Sequence, residues 1–236
     1  ASDIREEGWT TQFAIDAFGA RGEIAVPKPG LFNVHNALAA SAVCLVAGLD
    51  LFEIAAAIEI WPGAPGRMEF INEGQPFTVV VDFAHAPDAL SRVLQLLRSH
   101  SRGRIIAVLG SIGEREKDRR AAMGRVAAEA ADFTIVTDDN PYTEDRDAIL
   151  RDIATGLTGA GRREGHDFAV IQDRREAVAY AITMAVDDDV VDADGGSAVG
   201  EEIRRHGEHG VVGRRGEDFF AVEDHRGRGA DGPDRV

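Results

Sequence analysis

Between residues 77 and 191 one pattern recurs: a short, continuously apolar run followed by an amphipathic stretch. "FTVVVDFA" precedes "PDALSRVLQLLRSH", "RIIAVLG" precedes "KDRRAAMGRVAAEAA", and "FTIVTDD" precedes "RDAILRDIATGL". "DFAVIQD" then precedes "REAVAYAITMA", and "DDVV" opens one more run. A strand apolar at every residue has no face to give to water, so both faces of its sheet must be covered. Alternation with helices therefore predicts an α/β fold built on a mostly parallel sheet. Ligands of such sheets gather beyond the carboxyl ends of the strands. Three polar clusters stand at that point of the pattern: "DFAHAPD", "GSIGEREKDRR" and "TDDNPYTED".

The residues before this repeat read differently. "TTQFAIDAF" and "GEIAVPK" alternate as two strands joined by a glycine turn, and helices are expected over 36–47 and 51–60. Gly48 is a stop for the first helix and Asp50 an N-cap for the second. "WPGAPG" then places two prolines and two glycines in six residues, which marks a linker and a domain boundary. The expected division is 1–64, 65–191 and 192–236. The last segment changes character abruptly, to Gly, Arg, Asp and Glu without a clear period. Its composition predicts weak order, and a shift of reading frame would leave the same signature. The chain also opens inside a strand pattern, as expected of the C-terminal portion of a longer protein.

Charge narrows the partners. The sequence carries 41 Asp and Glu against 26 Lys and Arg, a net charge of −15 over 236 residues. That excess of acid disfavours nucleic acid, whose binding draws on basic side chains that displace counterions. The single cysteine, Cys44, has no internal partner for a disulfide and sits in an apolar stretch. A reducing, cytoplasmic setting is expected. No apolar run reaches the roughly 20 residues that span a bilayer, so no membrane insertion is expected. "RRHGEHG" contains His206, Glu208 and His209, but the spacing matches no zinc pattern and no metal site is assigned.

Each cluster supports a ligand or a plain structural role. Asp82 can accept both hydroxyls of a ribose, with His85 against the nucleoside; equally, it can cap a turn. Gly110 and Gly113 with Arg115 form a strand-to-helix turn suited to an anion, although no Gly-Lys-Ser/Thr follows, which excludes a triphosphate loop. Lys117, Arg119 and Arg120 either steer anions or form a solvated helix start. Asp138, Asp139 and Asn140 before Pro141 can hold an amino-acid group, or can serve a capped loop with Glu144 and Asp145.

In order and spacing, "GLFNVHNALAA", "PGRMEF", "VVVDFAHAPDAL", "GSIGEREKDRRAAMG" and "TDDNPYTED" resemble the serial motifs of the Mur ligases, over residues 32–184. The resemblance is strongest to the UDP-N-acetylmuramoyl-tripeptide synthetases (MurE type), which add a diamino acid to the peptidoglycan precursor. It implies the end of a central ATPase domain followed by a Rossmann-like C-terminal domain. It further implies an ATP-dependent ligase acting on a UDP-muramoyl dipeptide through an acyl phosphate. ATP and Mg2+ would be bound mainly by upstream residues, and no catalytic residue is assigned within this stretch. By motif, Asn36, Arg67, Asp82 and His85 would face the nucleotide. Arg115 would grip the amino acid's carboxylate, with Asp139, Asn140 and Tyr142 forming its specificity loop. Closure about "GAPGRME" would bring the two parts together.

Two departures bear on the substrate. Members that add diaminopimelate carry arginine where this chain has Tyr142, and lysine-adding members carry a small neutral residue there. The family's Gly-Lys-Gly-His-Glu is replaced by "DADGGSAVGEE". Two other functions fit the same motifs. One is a ligase of this type working on a substrate outside the wall, and the other is a non-catalytic module that binds a nucleotide or amino acid.

Overall fold

A computed structural model describes residues 1–195, 199, 200, 203 and 204. It contains two sheets. The first is an antiparallel meander of β1 (Ser2–Glu7), β2 (Thr10–Ala17) and β3 (Ala20–Val26). Phe13, Ile15, Ile24 and Val26 alternate onto one buried face, which α1 (Leu31–Val46) and α2 (Leu51–Glu59) cover. Helix α1 begins five residues before its expected start, because its first turn follows Pro29-Gly30 without an amphipathic signal. Asn33 fastens that turn by donating to the Pro29 carbonyl at 2.7 Å. Asp50 caps α2 as expected, in a reciprocal capping box with Glu53. Strand β1 lies in the opening stretch that reads as a strand pattern but was not delimited as a strand of its own; all six of its residues are exposed, so it carries no apolar alternation.

The second sheet has six strands in the order β4-β5-β9-β6-β7-β8. These are β4 (Glu69–Ile71), β5 (Thr78–Asp82), β6 (Ile105–Leu109), β7 (Phe133–Val136), β8 (Phe168–Val170) and β9 (Val190–Asp194). Five are parallel; β4 runs antiparallel to β5 at one edge, folded back through a turn at Gly74. The mixed α/β architecture and the mostly parallel sheet agree with the sequence reading. Helices α3 (Pro87–His100), α4 (Lys117–Ala130) and α5 (Arg146–Gly159) cover one face, and α6 (Arg174–Met184) lies on the other. Strand β9 continues past Val191 through Asp194, so the sheet includes the start of the segment whose composition breaks.

Glycine sets the approach of α4 to α5. A Cβ on Gly124 would stand 2.1 Å from the Ile153 carbonyl, and one on Gly156 would stand 2.1 Å from that of Ala121. The backbones meet because neither residue has a side chain.

The two sheets join along a seam. The Trp9 ring lies 4.8 Å from those of both Phe70 and His100, stacked on the latter. Glu6 accepts from the Gly30 N–H at 2.9 Å and pairs with His100 at 3.3 Å. Lys28 is buried and donates to the Met68 carbonyl at 2.6 Å. Burial lowers its pKa, opposed by Glu69 and Asp82. Among the described residues no helix is long and apolar enough to cross a membrane.

Candidate functional site

The carboxyl ends of β5, β6, β7 and β9 open on the same edge, and the loops after β5, β6 and β7 carry the polar clusters. Asp82 is the last residue of β5, and its Oδ2 accepts from the Met68 N–H at 2.8 Å. Burial pushes its carboxyl up, an effect reduced by that hydrogen bond and by Arg67 and Lys28. The Arg67 guanidinium lies 4.7 Å from the Phe83 ring centroid and donates to the Phe83 carbonyl at 3.3 Å. His85 stands 4.1 Å from the same ring and donates from Nδ1 to the same carbonyl at 3.1 Å. Arg67, Asp82 and His85 therefore share one surface around Phe83, a carboxylate beside flat rings and a guanidinium. That chemistry fits a nucleoside: vicinal hydroxyls for the carboxylate and a base for the stack.

Asn36 lies elsewhere. It lines an apolar groove of about 370 Å³ between α1 and α2, with Ala40, Cys44 and Trp61. Among the described residues no hydrogen bond joins it to Arg67, Asp82 or His85. Asn33, one turn earlier and buried, was missed, since its role in holding the helix start leaves no pattern in sequence.

The β6–α4 and β7–α5 loops are bound to each other. Gly113 donates to the Asn140 carbonyl at 2.8 Å, and a Cβ on Gly113 would fall 2.0 Å from the Pro141 oxygen. The Glu114 N–H donates to the Glu144 carboxylate, while Thr143 Oγ1 donates to Glu114 at 2.8 Å. Arg115 is exposed on the first loop, and its guanidinium has no hydrogen-bond or ion-pair partner among the described residues. Asn140 is exposed on the second loop and accepts the Tyr142 N–H at 3.3 Å, with Tyr142 in the left-handed region at φ 49°. Asp139 is half-buried between them and the sheet.

Behind the second loop is a cleft of about 460 Å³ lined by Asp138, Asp139, Asn140, Arg146 and Arg174. Arg146 pairs with Asp138 at 3.3 Å, and burial holds the Asp138 carboxyl above its usual range. Arg174 donates to the backbone carbonyls of Asp138 and Asp194. The cleft thus offers both charges in one place.

The basic run at the start of α4 divides. Lys117 is exposed, whereas Arg119 donates to the His85 carbonyl and ties this loop to the surface around Phe83. Arg120 neither steers anions nor meets solvent. It is fully buried, bound to Glu144 at 2.9 Å and Asp152 at 3.1 Å. The helical period explains the correction, because position 120 shares the inward stripe of Met123, Gly124 and Ala127.

Sequence reasoning also missed Asp192 and Asp194. Both are buried in the central strand β9, and each has a buried carboxylate oxygen without a hydrogen-bond partner among the described residues. Burial, then Asp82 and Asp194, raises Asp192 well above the ordinary value. Burial carries Asp194 to about 7, against the pull of Arg174. Their alternation with Val191 and Ala193 in "VVDAD" was the available signal. His206, Glu208 and His209 lie outside the described residues. Among the described residues no group of three or more His, Cys, Asp or Glu side chains is placed to hold a metal ion.

The profile of the family described as "Mur ligase, glutamate ligase domain" matches residues 66–195. The chain belongs to the Mur ligase family. A Mur ligase relative, the UDP-N-acetylmuramyl-tripeptide synthetase of Roseiflexus sp., is 40% identical over 191 residues, 81% of this chain and 38% of that protein. The UDP-N-acetylmuramoyl-L-alanyl-D-glutamate–2,6-diaminopimelate ligase of Halalkalibacterium halodurans is 38% identical over the same shares of the two chains. A solved structure of a ligase with that same name superposes with a TM-score of 0.58 at 32% identity, covering 89% of this chain and 45% of that one. The chain thus spans about two fifths of the length of the curated Mur ligases it matches.

Proposed function

We propose that this chain is the amino-acid-binding portion of an ATP-dependent carboxylate–amine ligase. That ligase adds a diamino acid to UDP-N-acetylmuramoyl-L-alanyl-D-glutamate in peptidoglycan precursor synthesis. The observation that carries the reading is that Arg115, without a partner among the described residues, and Asn140 stand on two loops bound together at the sheet's carboxyl edge. Arg119 links these loops to the Asp82 and His85 surface. Residues 1–64 are read as the end of the central ATP-binding domain and 65–191 as the C-terminal domain, with the reaction in the cytoplasm, where the nucleotide substrates are.

In this reading Arg115 holds the amino acid's α-carboxylate in a charge-assisted fork, and Asp139 with the Asn140 amide orients its amino end. Asp82 accepts the ribose hydroxyls, while Arg67 and His85 flank the base. When bound, ATP supplies the phosphoryl group that activates the acceptor carboxylate as an acyl phosphate. The loops contribute position: they keep the amine in line for attack and out of bulk water. The phosphate loop and the Mg2+ ligands belong to upstream residues, so this chain by itself binds without turning over. Tyr142 offers a distal carboxylate no charged partner, which directs attention to the amino acid's far end.

The test is phosphate release by the full-length protein with ATP, the UDP-muramoyl dipeptide and a panel of amino acids. Stimulation by a diamino acid is expected. Tight ATP binding with no stimulation by any of them would refute the reading.

A further inference from the structure

We propose that Arg120 is a positioning residue for the amino-acid site: its buried guanidinium, through Glu144, locks the loop bearing Arg115 against the loop bearing Asn140. The inference rests on the amino-acid-site reading above and assigns a role to two residues outside it. Arg120 is the largest fully buried side chain described, and it is charged. A buried ion pair is a poor source of net stability, because desolvation offsets most of the attraction. Packing of α4 on α5 does not require it either, since the Gly124–Gly156 contact and the buried Ile153 and Leu157 already join the two helices. The charge has a different target. One arm, Nη1, reaches Asp152 on α5, which anchors the guanidinium to a rigid element. The other arm, Nη2, reaches Glu144 on the β7–α5 loop.

Glu144 then passes the constraint across. Its carboxylate also accepts the Glu114 N–H, next to Arg115 in sequence. That hydrogen bond first, and the Arg120 contact second, hold its carboxyl below the usual range. Glu114 and Tyr142 both carry positive φ, 58° and 49°, one on each loop. Side-chain-bearing residues rarely adopt that conformation unless their surroundings dictate it. Around these two the dictating contacts are the Glu114 N–H on Glu144, the Thr143 hydroxyl on Glu114 and the Gly113 N–H on Asn140. The clamp therefore sets the separation of Arg115 from Asn140, while touching neither side chain.

The experiment compares wild type, Glu144→Gln, Asp152→Asn and Arg120→Lys in the full-length protein. Glu144→Gln keeps an oxygen for the Glu114 N–H but removes the charge that Arg120 holds, and its site is partly exposed, so folding is retained. Asp152→Asn removes a carboxylate from the same guanidinium without touching either loop. The expected result for Glu144→Gln is a diamino-acid KM raised roughly tenfold, with the ATP KM within about twofold, as loss of orientation at one substrate predicts. Arg120→Lys, a point charge in place of a fork, should show the same selective effect. Asp152→Asn, whose amide oxygen can still accept from the guanidinium, should lower the melting temperature and raise the diamino-acid KM less than Glu144→Gln does. In the 236-residue chain, amide exchange at Gly113 and Glu114 should quicken in Glu144→Gln and in Arg120→Lys, and not in Asp152→Asn. An unchanged diamino-acid KM in Glu144→Gln overturns the proposal, as does an equal rise in the KM of both substrates. Should Arg120→Lys fail to fold, the contrast between Glu144→Gln and Asp152→Asn decides. A wild type that no amino acid stimulates would instead strike the functional reading, whatever the exchange data show about the clamp.

Discussion

Arg115 and Tyr142 show how differently two exposed residues can be read. Arg115 was legible in the sequence as an anion ligand, because a glycine turn ahead of a helix start favours one. Among the described residues its guanidinium has no partner, which leaves it available to a ligand. Arg115→Ala in the full-length protein should raise the amino-acid KM about 10- to 100-fold, the equivalent of ~1.5–3 kcal/mol for a charge-assisted contact. An unaltered KM would remove Arg115 from the site. Tyr142, 60% exposed, has room for a longer side chain. Tyr142→Arg should therefore raise kcat/KM for meso-diaminopimelate relative to lysine by about tenfold, on the same scale of interaction. A ratio that does not move would show that position 142 leaves the far end of the substrate untouched. The role of Arg120 was not legible. Charge pattern places an arginine at a helix start in solvent; the helical period puts position 120 on the inward stripe, but the partners Glu144 and Asp152 appear only in the structure.

At the scale of elements, the strand and helix alternation carried almost all of the large sheet. Its helices α3, α4 and α5 fall where the amphipathic stretches stand, because each must bury one stripe. What was illegible lies at the margins: β1 is exposed on both faces, β4 has three residues, and β9 runs on into a stretch that reads as tail. Strand β9 also holds a local conflict, two buried carboxylates in a parallel central strand. Their raised pKa fixes a sign. The folded chain keeps a proton that the unfolded chain releases above the ordinary value of 3.8, so stability falls as pH rises from there to about 7. Urea unfolding of this chain should give less stability at pH 8 than at pH 5. The double variant Asp192→Asn, Asp194→Asn should flatten that difference; an identical profile in both proteins would show that neither carboxyl holds a proton. Between helices the limit is steric. Gly156→Ala should cost about 1–3 kcal/mol, as overpacking does, because α5 must lift from α4. Wild-type stability in that variant would mean that the helices separate at no cost.

For the molecule as a whole, the sequence led us to expect a linker and gave no sign of the seam. Prolines and glycines in "WPGAPG" announce a change of unit, but nothing in the sequence says that Lys28 reaches the Met68 carbonyl 40 residues away. Such contacts join residues distant in sequence, with no period to betray them. Among the described residues the seam includes one buried lysine, a carboxylate shared between Gly30 and His100, the stack around Trp9, and Phe32 packed on the core of the large sheet. The chain has only two tryptophans, and Trp61 borders the α1–α2 groove, away from that stack. Trp9 is thus an intrinsic optical gauge: its emission reports whether the imidazole of His100 and the ring of Phe70 still lie against it, so that movement between the two sheets can be followed by fluorescence without attaching a dye.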